Sequence, residues 1–178
     1  MSEILEITQP VIKTDGFILR PVSAADAGAL TLHASDKRVA QNTTTIPHPL
    51  PEGATEAFIS RCQAPDRTED VWVIDPSVDG SELIGAIALQ RMDRDQSEIG
   101  YWIAPAFWNS GIASQAVAAL IAANPQICRT IFGSVFQDNP AAARVLTNCG
   151  FDYIGEAESF SVARGATVPT WTYIKALD

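Results

Sequence analysis

Between Val71 and Leu120 the hydrophobic pattern changes once, from a strand period of two to a helical period of about 3.6, and this change limits the folds open to the chain. Val71-Trp72-Val73-Ile74-Asp75 reads as a strand, Asp79-Gly80 as a hairpin turn, and Leu83 to Met92 as the returning strand, with Gly85 at a bulge. A polar turn from Asp93 to Gln96 leads to a third strand, Ser97 to Ile103. After a loop from Ala104 to Ser110, residues Ile112, Gln115, Ala116, Ala119 and Leu120 recur at helical spacing. Three successive antiparallel strands have an apolar face to bury, and a helix that follows them directly is a cover for it.

The rest of the chain extends this layout. Phe17 to Pro21 reads as an earlier strand stopped by proline, and Ser23 as the cap of a helix containing Asp26, Leu30 and Leu32. Pro47, Pro49 and Pro51 impose an extended loop, because each disfavours helix for its predecessor. Glu52 to Cys62 reads as a short helix burying Ala54, Phe58 and Ile59. Thr130 to Gln137 is a strand, Asn139 to Cys149 a helix stopped at Gly150, and Phe151 to Phe160 and Val168 to Leu177 are two final strands. The expected class is α/β (α+β): one domain over residues 1–178, with a mixed, mostly antiparallel sheet of about seven strands and about four helices on its faces.

Composition narrows the function. The net charge is −9, from 12 basic and 21 acidic residues, opposite to the balance of a nucleic-acid binder. Such a charge maintains solubility and also suits a cationic partner such as an amine. No apolar run nears the roughly 20 residues of a membrane span, and Met1 to Glu6 lack the basic start of a secretory signal, so a cytoplasmic protein without a membrane partner is expected. Cys62, Cys128 and Cys149 are odd in number and far apart, and the only histidines are His33 and His48; a disulfide framework or a metal site is not expected.

Asn109-Ser110-Gly111-Ile112-Ala113-Ser114 lies at the passage from strand to helix. The first N–H groups of a helix lack internal partners, carry partial positive charge and point outward together, so they can receive a phosphate. Gly111 and Ala113 leave room for it, and Ser110 and Ser114 add hydroxyls. No Gly-Lys-Ser/Thr and no three-glycine fingerprint is present, so neither a Walker loop nor a dinucleotide fold is indicated.

The stretch Glu98-Ile99-Gly100-Tyr101-Trp102-Ile103 through Trp108 to Ala116 resembles the acetyl-CoA segment of the GNAT N-acetyltransferases. Gly111 and Ala113 fit the superfamily pattern, with Trp108 where Gln or Arg is usual. That replacement, together with Gly100-Tyr101-Trp102, is similar to the group acting on ribosomal-protein N-termini (RimJ/RimL-like). Phe17 to Asp26, Ile46 to Pro49, Leu83 to Gly85, and Asn139-Pro140 through Arg144 to Phe151 support the same resemblance, which spans roughly residues 14 to 177. It implies acetyl-CoA as donor, held by backbone groups of Trp102 and Ile103 on its pantetheine arm and by the amides of Asn109, Ser110, Gly111, Ile112, Ala113 and Ser114 on its pyrophosphate. Asn139 would bond the pantetheine or set a helix start; Arg144 would reach a phosphate or stay solvated.

Acetyl transfer needs a neutral amine, and a free α-amine (pKa about 8) loses its proton more readily than lysine (about 10.4). Glu98 is the candidate base, on one strand face with Gly100 and Trp102; the alternative is an acid paired with a neighbouring cation. The tyrosine and serine that other members offer as general acid are Leu146 and Ala142 here, which leaves Tyr101, Tyr153 and Ser161 as substitutes. The acceptor is a protein or peptide N-terminus or a small-molecule amine; a non-catalytic acyl-CoA-binding module is the reading from another class. Either a monomer or a homodimer is compatible with the sequence.

Overall fold

The computed structural model describes residues 9–77 and 82–177. They form one eight-stranded sheet in the order β1-β2-β3-β4-β5-β6-β8-β7. The strands are β1 (Ile12–Lys13), β2 (Ile18–Pro21), β3 (Glu69–Asp75), β4 (Gly85–Met92), β5 (Gln96–Ile103), β6 (Thr130–Phe136), β7 (Asp152–Ser161) and β8 (Ala166–Ala176). Every neighbouring pair is antiparallel except β5 and β6. The α-helices are α1 (Ala27–Ala34), α2 (Lys37–Ala40), α3 (Ala54–Gln63), α4 (Ile112–Ala123) and α5 (Pro140–Asn148).

The expected class holds, with two short elements added. β1 is two residues and α2 a single turn, each too brief to show a hydrophobic period. Ser23 caps a 3-10 turn, Ala24–Asp26, before α1 begins, and Asp26 completes a capping box by accepting from the Ser23 amide. On α3 the fully buried residues are Thr55, Ile59 and Cys62, while Phe58 is partly buried. β8 begins at Ala166, two residues ahead of the expected Val168. The Asp79-Gly80 turn lies outside the described residues.

Gly85 is not at a bulge. Its register runs unbroken from Ile74 on β3 to Ile103 on β5. A Cβ there would lie 2.5 Å from the Trp102 carbonyl oxygen, so glycine is required by close approach of two backbones.

The sheet buries both faces. One packs Ile87, Leu89, Ile99 and Ile131 against Ala116, Val117 and Leu120 of α4 and Ala143 and Leu146 of α5. The other packs Val71, Val73 and Ala86 against Leu30 of α1 and Ile59 and Cys62 of α3. Strand alternation therefore sends Ile99 toward α4 and α5, and Glu98, Gly100 and Trp102 toward α1 and α3.

Candidate active site

The parallel ladder between β5 and β6 is short. It runs from Gln96↔Thr130 to Ile99↔Gly133 and stops. β6 goes on with β8 to Phe136, while β5 goes on with β4 to Ile103. Gly100 to Ile103 thus have no strand on their β6 side, and a cavity of about 900 Å3 opens between the diverging strands. At its apex Leu146 packs against Gly133, where an added Cβ would sit 2.8 Å from Leu146 Cδ1.

Hydrogen-bond phase decides which groups face this opening. The Ala104 N–H donates to the Ile84 carbonyl, so residues in phase with it, Gly100 and Trp102, turn their backbone groups to β4. Tyr101 and Ile103 present theirs to the open side. The sequence reading is revised here: the exposed edge belongs to Tyr101 and Ile103, while the Trp102 ring packs on the α1/α3 side, 6.0 Å from the His33 ring. The Ile103 carbonyl already accepts the Trp108 indole N–H at 2.7 Å, which leaves one lone pair.

The turn before α4 has the form needed for an anion. Asn109 (φ 58°) and Gly111 (φ 82°) are left-handed on either side of Ser110, and Gly111 caps the helix. Among the described residues, the main-chain N–H groups of Asn109, Ser110, Gly111, Ile112, Ala113 and Ser114 have no protein acceptor. All six residues line the cavity. They meet there with the partial positive charge of a helix of 12 residues. The Ser110 hydroxyl donates to the Phe107 carbonyl, so its hydrogen serves the turn and not a ligand. The Asn139 side chain accepts from the Ala142 N–H at 3.4 Å as the cap of α5, and the residue also lines the cavity. Arg144 is exposed on that helix at the cavity wall.

Glu98 lies on the opposite side of the opening. Among the described residues it makes no hydrogen bond or ion pair, which removes the alternative of an acid paired with a neighbouring cation. Glu98 is exposed to the open cavity, and partial desolvation by the surrounding walls raises its carboxyl above the ordinary glutamate value.

The expected positions of a general acid are apolar in three dimensions as well. Leu146 is 1% exposed, a core residue. Of the substitutes, Ser161 is buried and accepts from the Arg164 amide, and Tyr153 is an exposed residue of β7 set edge-to-face against Tyr173. Neither is among the cavity-lining residues, whereas Tyr101 is. The Tyr101 hydroxyl donates to the Ala142 carbonyl at 3.3 Å, and burial pushes its pKa up. A phenol in that state donates a hydrogen bond but does not surrender its proton to a thiolate. His48 does not line the cavity; Cys149 packs at the end of α5 with its thiol toward the Ser114 carbonyl.

Three residues escape sequence reading. Register aligns Glu69, Gln90 and Glu98 in one row across β3, β4 and β5, and all three line the cavity. Thr170 of β8 is 2% exposed, lines the same cavity, and has an Oγ1 without a hydrogen-bond partner among the described residues. These proximities depend on strand order and register, which local pattern does not encode.

Among the described residues no helix is long and apolar enough to cross a membrane, and no group of three or more His, Cys, Asp or Glu could hold a metal ion.

Comparison with known proteins fits this geometry. A family model described as Acetyltransferase (GNAT) domain matches residues 17–152, more than half of the chain. An uncharacterized N-acetyltransferase of Bacillus subtilis, YoaA, is 28% identical over 173 residues, covering 92% of this chain and 95% of that protein. Among solved structures, the microcin C7 self-immunity acetyltransferase MccE, in complex with acetyl-CoA and AMP, has a TM-score of 0.80 at 19% identity, covering 97% of this chain and 99% of its own. RimL, a ribosomal L7/L12 α-N-protein acetyltransferase in complex with coenzyme A, also has a TM-score of 0.80, at 20% identity, with coverage of 95% and 99%.

Proposed function

Because the chain belongs to the GNAT acetyltransferase family and draws its acetyl group from acetyl-CoA, we propose that it acetylates a primary amine by direct attack in a ternary complex, with the α-amine of a protein or peptide as the leading acceptor. The observation that carries the proposal is the meeting in one cavity of six unpaired main-chain N–H groups, a free edge of β5 and an uncommitted carboxylate, Glu98.

In this reading the amides of Asn109 to Ser114 hold the pyrophosphate, and the backbone of Tyr101 and Ile103 pairs with the pantetheine arm as an added strand does. Trp102 and Asn139 flank that arm. The thioester is then directed to the apex of the opening, beside Glu98. One proton passes from the acceptor ammonium to Glu98, and the amine nitrogen attacks the thioester carbon. The C–S bond breaks, coenzyme A leaves as thiolate, and the second amine proton neutralises it through solvent. No acid side chain is needed, because a thiolate is a good leaving group and proximity supplies much of the acceleration. The resemblance to the RimL group favours an α-amine, and so does its lower pKa; a small-molecule amine is the next acceptor class. We take the working unit to be a single cytoplasmic domain, monomeric or homodimeric, without a nucleic-acid or membrane partner.

The test is release of free thiol from acetyl-CoA with a panel of peptides and small amines, beside calorimetric titration of coenzyme A. Acceptor-dependent release that falls in Glu98→Gln supports the proposal. Tight coenzyme A binding with no turnover on the whole panel assigns a non-catalytic acyl-CoA module instead, a reading that the apolar Leu146 and Ala142 would suit.

A further inference from the structure

Thr170 carries a hydroxyl that the fold leaves unused. The residue is 2% exposed and lines the cavity, and among the described residues its Oγ1 has no hydrogen-bond partner. Its main chain is committed. Thr170 pairs with Phe136 of β6 and Ala157 of β7, and its carbonyl also accepts from the Gln137 side chain at 3.2 Å. A buried hydroxyl without a bond destabilises the fold unless a ligand or water completes it.

Register fixes where that hydroxyl stands. Glu98 pairs with Phe132, and Phe132, Ser134 and Phe136 share one face of β6. Phe136 pairs with Thr170, so Thr170 is on the same face of the sheet as Glu98, two strands over and four residues toward the mouth of the opening. Strand spacing and rise place their Cα atoms about 16 Å apart. Ser134 and Ser159 are the diagonal neighbours of Thr170 on β6 and β7, and both line the cavity.

The segment from Asn42 to Ile46 also lines the cavity, and it is tied to the end of β7. The Val162 N–H donates to the Thr44 carbonyl at 3.2 Å, and Arg164 Nε to the Gln41 carbonyl at 3.0 Å. This part of the lining is neutral. The charged lining residues are Arg61, Glu69, Glu98 and Arg144, and none belongs to β6, β7, β8 or that segment. Hydroxyls both donate and accept, so hydroxyls without a nearby charge suit a neutral group that does the same. A peptide unit is such a group, whereas an ammonium or a carboxylate would be left there without a counter-charge.

We propose that the Thr170 hydroxyl binds the main chain of a peptide acceptor at a peptide unit three or four residues from the reacting amine. An extended chain rises about 3.3 Å per residue, so three or four residues span the distance from Glu98 to within hydrogen-bond reach of Thr170. Thr170 is a specificity residue in this scheme and takes no part in bond making. The inference rests on the acetyl-transfer reading and adds a property of the acceptor: an uncharged main chain long enough to reach β8.

The experiment measures kcat/KM by thiol release for the amide-capped peptides Ser-Ala and Ser-Ala-Ala-Ala-Ala. The proteins are the wild type, Thr170→Val and Thr170→Ser, each also melted thermally. The wild type should favour the pentapeptide about fivefold, the size expected of one added hydrogen bond. Thr170→Val keeps the shape and removes the hydroxyl. It should bring the ratio to about one by raising KM for the pentapeptide, while Thr170→Ser keeps the preference. Thr170→Val should also melt no lower than the wild type, because it removes a polar atom that had no partner. Four results overturn the inference and leave acetyl transfer intact: a wild-type ratio of one, a preference that survives in Thr170→Val, a preference lost in Thr170→Ser, or a lower Tm in Thr170→Val. Absence of thiol release with every amine overturns both.

Discussion

The indole N–H of Trp108 donates to the Ile103 carbonyl at 2.7 Å, and so ties the segment before the phosphate turn to the last residue of β5. The turn and the free strand edge are the two halves of the proposed donor site, and this bond sets the distance between them. Trp108→Phe keeps an aromatic ring and removes the donor. It should weaken coenzyme A binding by about 1 kcal/mol, with little effect on the acceptor KM. Calorimetry against coenzyme A checks the first part and steady-state kinetics the second; unchanged affinity would show that the bond is not what holds the turn.

Glu98 offers a prediction in which activity and stability move apart. Partial desolvation raises its carboxyl pKa above the unfolded value of about 4.3, so ionisation lowers stability, by an amount that its exposure to the open cavity keeps small. The sign follows: the stability present below the unfolded pKa is lost as pH rises through the folded pKa. Glu98→Gln should therefore melt no lower than the wild type at pH 7, with any difference vanishing below about pH 4. The same variant should lose turnover near neutral pH and move the acid limb of its kcat/KM profile up toward the acceptor amine's own pKa of about 8, because without the base only amine that is already neutral reacts. A lower Tm at neutral pH, or an acid limb that does not move, would count against the assigned role.

Gly133 and Leu146 meet at the apex of the splayed strands. A Cβ on Gly133 would lie 2.8 Å from Leu146 Cδ1 and 3.4 Å from Ile99 Cγ2. Gly133→Ala should cost about 1–3 kcal/mol by overpacking. Leu146→Ala alone should cost about 2–5 kcal/mol. If the shared contact is the cause, the double variant should be more stable than the sum of the two losses allows, which urea denaturation of all four proteins measures.

Arg20 holds two buried carboxylates together. Its guanidinium donates to Asp26 at 2.7 and 2.9 Å and to Asp75 at 2.8 Å, and those acids are 4% and 0% exposed. Arg20→Met leaves both without their cation and should cost about 3–5 kcal/mol. Since none of the three residues lines the cavity, kcat of the protein that remains folded should be unchanged. Denaturation and active-site-normalised turnover separate the two effects.

Much of the architecture was legible because it is written in local pattern. The central strands, the helix after Gly111 and the helix between Asn139 and Gly150 follow from periodicity, capping residues and turn chemistry, all of which act within a few residues. β1 and α2 were not legible, because two to four residues hold no period. Gly85 was misread for a related reason: a bulge and a close approach leave the same glycine in the sequence, and only the 2.5 Å to the Trp102 carbonyl separates them.

The sequence by itself determined the turn proposed to hold phosphate, the strand that carries Glu98, the family resemblance and the absence of a side-chain acid at Leu146 and Ala142. Each depends on residues adjacent along the chain. Tertiary structure alone decided that β5 and β6 part after Ile99, that Tyr101 and not Trp102 turns its backbone to the opening, that the Glu98 carboxylate has no hydrogen bond or ion pair among the described residues, and that Glu69 and Thr170 share its cavity. The physical reason is register. Glu69 and Glu98 are brought into one row by the pairing of β3 with β4 and β4 with β5, and a shift of one residue in either ladder would turn a carboxylate to the other face of the sheet.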